Sequence, residues 1–304
     1  MILLKNVHFR AVLQALFVTF LWSTSWVLIK IGLEEIPALI FAGLRYSLAF
    51  IILLPFSLRA HMTQSAPRPK LSRQSWMSLL SLGLLLYALT HGAQFLGLSY
   101  LPAVTVSLLL NFTPVLVALM GILLLSEHPS PVQWGGFGLY LMGIVIFFFP
   151  LVLLEGEIWG FIAMAVGILA NAGSSVLGRH VNRSAQISPL LVTTISMGMG
   201  AFVLLIVGIS AQGLPPLSLT SWGIIAWLAV VNTAFAFTLW NYTLRTLSAM
   251  ESSIINNTML IQIALLAWLF LDERLGWQKV IGMVIAGLGV LIVQLKRSSR
   301  VKRR

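Results

Sequence analysis

The sequence predicts an all-α integral membrane protein, with ten transmembrane helices arranged as two inverted five-helix repeats. Three observations support this prediction. Hydrophobic residues make up 59% of the 304 residues and charged residues only 9%, an apolar share that no soluble domain needs to fill its core. Long stretches contain no charged residue at all. The second part of the chain also repeats the first at a constant spacing of 146 residues, so that Asn111 matches Asn257.

Charge-free intervals divide the chain into membrane crossings, because a helix needs roughly 20 apolar residues to cross about 30 Å of hydrocarbon. The intervals 74–126 and 184–244 must each hold two crossings, and turn signals at Pro102 and at 213–216 divide them. These runs lack the alternation of barrel strands, so helices are the remaining way to satisfy the backbone in lipid. The predicted helices are 11–31, 37–57, 75–98, 102–124, 132–150, 158–178, 188–210, 220–242, 248–270 and 276–295.

The basic residues predict the orientation, because Lys and Arg accumulate in short cytoplasmic loops. With a cytoplasmic N-terminus, 15 Lys and Arg residues fall inside and only Lys30, Arg274 and Lys279 fall outside. We therefore expect the cell inner membrane, with both termini cytoplasmic. The basic tail at 296–304 is expected to contact anionic lipid. Because the basic residues are spread over loops and form no single groove, we predict no binding of nucleic acid.

Several chemistries are excluded by the residues themselves. The chain has no cysteine, which rules out disulfides, thiolate metal sites and cysteine nucleophiles. It contains no GxxxxGK[ST], HExxH or GxSxG motif, and its five histidines are scattered. We therefore predict no catalytic residue, metal or cofactor. The sequence does not indicate an oligomeric state.

The repeat superimposes residues 107–127 on 253–273. The matched pairs are Ser107 with Ser253, Asn111 with Asn257, Glu127 with Glu273, Gly136 with Gly282 and Gly143 with Gly289. The two halves are 11–150 and 157–295. Because five crossings is an odd number, the second half must enter the membrane from the opposite side. Inverted repeats of this kind recur in transporters, where related halves exchange shapes around a shared site.

Asn111 is the polar residue that most needs an explanation. Ser107, Asn111 and Pro114 share one face of the predicted fourth helix, near the middle of the membrane. A buried amide is costly unless it forms hydrogen bonds, and Pro114 removes a backbone donor and favours a bend. Two readings stay open at this point. These side chains either line a cavity or fasten neighbouring helices.

Other polar and aromatic residues within the helices are weighed in the same way. The candidate substrate-binding residues are Trp22, Tyr87, His91, Gln94, Asn111, Asn171, Asn232 and Asn257. The candidate coupling residues are His91 and Glu251, since His titrates near neutral pH whereas Arg cannot release a proton. The alternative role for all of them is packing or hydrogen bonding between helices.

Four further positions are structural or uncertain. Arg45 lies inside the second helix, where a charged residue is a functional candidate by default. It could instead reach outward to Glu34 or Glu35, or act as a structural clamp. Pro114 belongs to this group because of its effect on the helix. We interpret Glu127 and Glu273 as structural residues at helix ends.

Four motifs resemble a known family. They are WSTSWVLIK at 22–30, PALIFAGLRY at 37–46, LLLSEHPSPVQWGGFGLYLMG at 123–143 and FLDERLGWQKVIGMVIAGLG at 270–289. Together they resemble the drug/metabolite transporter superfamily, specifically its EamA-type members with ten helices, over essentially the whole chain. The resemblance implies an inner-membrane carrier, commonly an exporter of amino acids or other small metabolites, with its site between the halves.

We therefore expect a secondary transporter that moves small metabolites across the inner membrane by alternating access. The main alternative is an intramembrane enzyme acting on lipid or peptide substrates. A receptor or assembly factor without transport activity is a third reading, disfavoured because a static scaffold has no evident use for an inverted duplication.

Overall fold

The computed structural model describes residues 2–62, 72–117, 120, 130–150, 156–183, 187–243, 246–247 and 249–294. All regular secondary structure in these ranges is helical. The helices in chain order are α1 Ile2–Gly32, α2 Ala38–Met62, α3 Arg73–Tyr100, α4 Ala103–Val117, α5 Pro131–Phe148, α6 Glu157–Arg183, α7 Pro189–Gln212, α8 219–243, α9 Ala249–Phe270 and α10 Trp277–Gln294.

Several of these helices are suited to cross a membrane. Within the described ranges, seven helices are long and apolar enough by length and composition, namely those in α1, α2, α3, α5, α6, α7 and α8. The helices α4, α9 and α10 contain shorter apolar segments, Ala103–Val117, Ile255–Phe270 and Trp277–Val293. The prediction of an all-α membrane protein is therefore confirmed. The number of ten crossings remains a prediction.

Serine residues explain where four of the helices begin. The hydroxyls of Ser72, Ser188 and Ser218 each accept a hydrogen bond from the backbone N–H three residues later. Ser130 does the same at the start of α5, and the Gln133 side chain accepts from the Ser130 N–H to complete a capping box. These bonds satisfy donors that have no partner inside the helix, and they fix the helix starts close to the predicted positions.

The first helix is longer than predicted. It begins at Ile2, whereas the sequence predicts a start at residue 11. The reason is that the hydropathy pattern marks the apolar part of a helix and not its ends. Polar residues such as Lys5 and Arg10 are good helix formers that extend α1 before its apolar part.

Two helices contain a wide, π-helical segment. In α3 this segment is Gly83–His91, and in α8 it is Val230–Phe235. The Thr90 hydroxyl donates to the carbonyl of Leu85 at 2.7 Å, five residues earlier. The Thr233 hydroxyl donates in the same way to Leu228 at 2.9 Å. Such segments are rare and occur frequently at functional sites.

The fourth helix is interrupted where the sequence places Asn111 and Pro114. Its regular part, Ala103–Leu110, ends in a turn at 111–112, and a short helical segment follows at 113–117. The Phe112 N–H bonds to Leu109 at 3.0 Å, a tighter turn than that of an α-helix. Residues 121–129, with Glu127 and the predicted end of this helix, lie outside the described residues.

Glycines bring α5 and α10 into backbone contact. A Cβ atom at Gly282 would lie 2.7 Å from the carbonyl oxygen of Gly143, and one at Gly289 would lie 2.7 Å from that of Gly136. Because residue numbers rise on one helix while they fall on the other, α5 and α10 are antiparallel. Small residues permit this close approach of helices in membranes.

Candidate functional site

A cavity of about 420 Å³ lies among α1, α2, α3, α4, α6, α8 and α9. Six of the eight predicted substrate-binding residues line it. They are Trp22, His91, Gln94, Asn111, Asn171 and Asn257. The cavity falls within the size range of small-molecule sites, roughly 300–1,000 Å³.

Asn232 is placed away from the cavity lining. Its amide nitrogen donates to the carbonyl of Leu21 and lies 3.3 Å from the hydroxyl oxygen of Thr24, both on α1. The residue is fully buried. In this structure Asn232 therefore joins α8 to α1.

Tyr87 also lies outside the lining, directly behind it. Its ring centroid is 5.4 Å from that of Tyr46 and 5.7 Å from that of His91. The His91 ring packs against Tyr46 at 4.7 Å, and its Nδ1 lies 3.3 Å from the Gln94 side-chain oxygen. The rings of Tyr46, Tyr87 and His91 are thus in mutual contact, and Tyr87 supports the other two by ring packing.

The amides on α4 and α6 are held by protein partners. Asn111 Nδ2 donates to the Ser107 carbonyl of its own helix at 2.8 Å, so its donor is satisfied one turn away. Asn171 Nδ2 donates to the hydroxyl of Thr113 at 3.1 Å and joins α6 to α4. Both residues line the cavity as well. Cavity lining and helix fastening are therefore compatible roles for the same side chain.

Arg45 is buried at the cavity, with 4% of its surface exposed. Its Nε donates to the Thr233 hydroxyl at 3.1 Å, across 188 positions of the sequence. Its guanidinium carbon lies 5.3 Å from the centre of the Tyr46 ring, a cation–π distance. Arg45 does not pair with Glu35, whose carboxylate accepts hydrogen bonds from Ser218 and Ser221 instead.

Trp22 contributes an aromatic wall. Its ring centroid is 5.2 Å from those of Phe237 and Trp240, both on α8. The indole Nε1 is buried and has no hydrogen-bond partner in the described structure. The hydroxyl oxygen of Ser107, a residue of the cavity lining, is also buried without a hydrogen-bond partner in the described structure.

Glu273 lies away from the cavity and caps α4. Its carboxylate accepts hydrogen bonds from the backbone N–H groups of Ala103 at 2.6 Å and Val104 at 3.2 Å. A carboxylate is favoured at this position, where the N-terminal end of a helix presents unpaired donors. Nearby, Lys30 Nζ donates to the carbonyls of Leu98 and Leu101. The Glu251 side chain lies outside the described residues.

Sequence reasoning missed several lining residues. They include Tyr46, Thr113, Asn256 and Phe237. Two of them had a signal, since Tyr46 follows the conspicuous Arg45 and Asn256 precedes the repeat-matched Asn257. Phe237 had none, because an aromatic residue in an apolar helix looks like packing until the neighbouring helices are placed.

The comparisons with known proteins assign the family. The model of the EamA-like transporter family matches residues 9–149 and 158–295. The chain belongs to this family. The resemblance to EamA-type members of the drug/metabolite transporters is thereby confirmed.

Relatives of this EamA-like chain bear transporter names. It is 24% identical over 292 residues to the uncharacterized transporter YoaV of Bacillus subtilis, covering 93% of this chain and 96% of that one. It is 27% identical over 241 residues to the uncharacterized inner membrane transporter YedA of Escherichia coli K12, covering 77% and 74%. A solved crystal structure of another protein shares the fold, with a TM-score of 0.65 at 19% identity over 94% of this chain and 98% of that chain.

Proposed function

We propose that this protein is a secondary transporter that exports small metabolites, amino acids or related compounds, across the inner membrane by alternating access. The observation that supports this most directly is the cavity. Polar side chains from the first half, including His91 and Asn111, lie around the same cavity as those from the second half, including Asn171 and Asn257. A site shared by two halves can open to either side when the halves move relative to each other.

The contacts between helices support two related halves, 11–150 and 157–295. Helices in corresponding positions of the two halves pack in corresponding ways. In the proposed repeat, each helix of the first half corresponds to the helix five places later, so α1 corresponds to α6 and α4 to α9. The contact of α1 with α9 has its counterpart in the contact of α6 with α4, and the contact of α3 with α6 has its counterpart in that of α8 with α1. Two further contacts, α2 with α7 and α5 with α10, join helices that correspond to each other. An axis that exchanges the halves would produce this pattern.

The α5–α10 pair supports opposite insertion of the halves. Gly136 and Gly143 match Gly282 and Gly289 in the repeat, yet Gly136 lies beside Gly289 and Gly143 beside Gly282. Matched helices that run antiparallel are expected when the repeats enter the membrane from opposite faces. The proposed orientation places both termini in the cytoplasm, with the tail at 296–304 on anionic lipid.

A transport assay tests the proposal. Purified protein is reconstituted into liposomes loaded with a mixture of amino acids and related metabolites, and efflux of each solute is followed by mass spectrometry. We expect protein-dependent efflux of at least one solute, recovered chemically unchanged, and none from protein-free liposomes. Converted lipid or peptide without solute movement would favour the intramembrane enzyme instead.

The proposal includes His91 as the coupling residue. Its ring lines the cavity that also contains Arg45, and an imidazole can bind and release a proton. We expect His91→Gln, which stays polar but cannot titrate, to retain solute exchange and to lose accumulation driven by a pH gradient. His8→Gln, the same change on α1 and outside the lining, is the control and should keep both. Unchanged accumulation in His91→Gln would remove this residue from coupling.

A further inference from the structure

The charges at the cavity are unbalanced. Arg45 is a charged side chain on the lining, and among the described side chains the lining includes no carboxylate. Glu35, the acid nearest to Arg45 in the sequence, is used elsewhere, since it accepts from Ser218 and Ser221 on α8. An arginine with only 4% of its surface exposed is costly without an anion, because burial takes the charge out of water.

The guanidinium of Arg45 also has N–H groups without a described acceptor. Its Nε is occupied by the Thr233 hydroxyl at 3.1 Å, and the described structure contains no hydrogen bond from either Nη atom. The Nε bond and the Tyr46 ring at 5.3 Å fix the side chain from two sides. This arrangement presents the outer pair of nitrogens, which match the two oxygens of a carboxylate in a bidentate fork.

Further unsatisfied groups belong to residues of the same lining. Trp22 Nε1 can only donate a hydrogen bond, and Ser107 Oγ can donate one, and neither has a partner in the described structure. Both atoms are buried beneath the cavity surface, so they lie beside the site and are not part of its accessible surface. The donors that can meet a ligand in the cavity are therefore those of Arg45, and a buried charged donor calls for an acceptor with oxygen atoms.

The rest of the lining is apolar and aromatic. Trp22, Trp26, Tyr46 and Phe237 contribute rings, and Met259, Leu260 and Ile263 extend the apolar surface. Rings of this kind bind a flat or branched apolar group by burial and stacking. The cavity is thus suited to a molecule with one anionic end and one apolar end.

We infer that the cavity binds a small carboxylate with an apolar side chain, and that Arg45 holds the carboxylate through its Nη atoms. This inference rests on the proposed function in taking the cavity as the transport site. The aromatic rings of the lining pack against the apolar group. A ligand that carries only a positive charge would face Arg45 without a described carboxylate to receive it, so it is excluded.

Binding to the purified wild-type protein tests the inference with three probes of one carbon skeleton. The probes are hydrocinnamate, hydrocinnamyl alcohol and hydrocinnamylamine, and affinity is measured by calorimetry in detergent. We expect hydrocinnamate to bind about tenfold or more tightly than the alcohol, since hydrogen bonds between two charged groups are stronger than those to a neutral hydroxyl. The amine should not bind. Equal affinity for the alcohol, or tighter binding of the amine, would overturn the inference.

Variants then locate the anion. Arg45→Lys keeps the charge but loses the fork, and it should weaken hydrocinnamate binding about tenfold while leaving binding of the alcohol unchanged. Arg274→Lys, at an exposed position beside Asp272, is the matched control and should bind like wild type. If Arg45→Lys does not fold, Thr233→Val removes the hydroxyl that holds the Arg45 Nε, and it should weaken hydrocinnamate more than the alcohol. Loss of alcohol and carboxylate binding in parallel would contradict the assignment.

The failure of this inference differs from the failure of the proposed function. Transport of amines or neutral solutes, with no binding of hydrocinnamate, would support the proposed transport function and overturn the carboxylate site. Selective binding of hydrocinnamate, with no solute movement in liposomes, would support the carboxylate site and count against transport.

Discussion

At the scale of single residues, many polar side chains inside the helices bond to a backbone carbonyl of their own helix. Thr19, Thr24 and Ser25 of α1 do so three residues back, and Thr238 of α8 does so four residues back. Such bonds satisfy a hydroxyl in lipid without any second helix. A polar residue in the sequence therefore does not by itself identify a cavity.

Glu35 gives a pH-dependent prediction outside the membrane-spanning segments. Hydrogen bonds from the Ser218 and Ser221 hydroxyls, each 2.6 Å long, lower the pKa of its carboxyl from the ordinary value of 4.5. Because the folded pKa is the lower one, the stabilisation is fully present above the unfolded pKa. It is lost as the pH falls through the folded pKa. We expect Glu35→Gln to be less heat-stable than wild type at neutral pH.

The measurement is thermal unfolding of both proteins in detergent between about pH 3 and pH 7. The difference between them should shrink as the pH falls below 4.5. Glu34→Gln changes the adjacent exposed acid, which has no described hydrogen bond to α8, and should match wild type throughout. A difference that stays constant with pH would show that ionisation of Glu35 does not stabilise the fold.

At the scale of helices, the sequence predicts positions well and interruptions poorly. Charge-free intervals and turn residues placed most helix ends within two or three residues of those observed. The exceptions are the early start of α1 and the ends of α2 and α6, each five residues later than predicted, while the end of α4 lies outside the described residues. The wide segments of α3 and α8 had no signal, because one extra residue in a turn leaves the hydropathy unchanged. The break in α4 was predictable, since Pro114 lacks a backbone donor for the carbonyl of Leu110.

The crossing of α5 and α10 gives a prediction for a single helix. A Cβ atom at Gly143 would meet the backbone of Gly282 and Ala286, which cannot move aside as a flexible side chain can. We expect Gly143→Ala to lower the free energy of unfolding by about 1–3 kcal/mol, the usual effect of overpacking. The measurement is thermal or denaturant unfolding in detergent.

Gly138 of the same helix is the matched control. An added Cβ at Gly138 would meet nothing within 4 Å. Gly138→Ala should therefore be neutral or stabilising by up to about 1 kcal/mol, because alanine is the better helix former. Equal destabilisation by both substitutions would mean that the close crossing does not matter for stability.

At the scale of the whole molecule, the repeat was visible in the sequence, but the side-chain contacts between the two halves were not. Six of the candidate residues lie on one cavity, and their binding of substrate stays a prediction. Asn232 is an asparagine like three of those six, yet it bonds to α1. Arg45 and Thr233 are far apart in the sequence and share no local pattern. Such contacts are set by how the helices pack, which a single sequence does not specify.

The proposed inversion of the halves predicts the side on which each loop lies. Gln74, at the start of α3, and Leu214, before α8, are exposed and occupy corresponding places in the two halves. Because the chain has no cysteine, Gln74→Cys and Leu214→Cys give clean labelling in cells with a thiol reagent that does not cross membranes. We expect Leu214→Cys to react in intact cells and Gln74→Cys only after permeabilisation.

The parent chain, which lacks any thiol, is the control and should remain unlabelled in both conditions. Reaction of both variants from one side would contradict the inverted arrangement. The all-α fold and the family would be unaffected by that result.

The wide turns of α3 and α8 lie at matching positions of the two proposed repeats. Placed at the spacing of Asn111 and Asn257, the segment Val230–Phe235 falls within Gly83–His91. If the halves are repeats, one insertion in a half-length ancestor, before duplication and fusion, accounts for both segments at once. Under the proposed inversion, such an ancestor would have had an odd number of crossings. Two separate copies would then have had to enter the membrane in opposite orientations to build the same assembly, whereas a fused chain fixes both orientations.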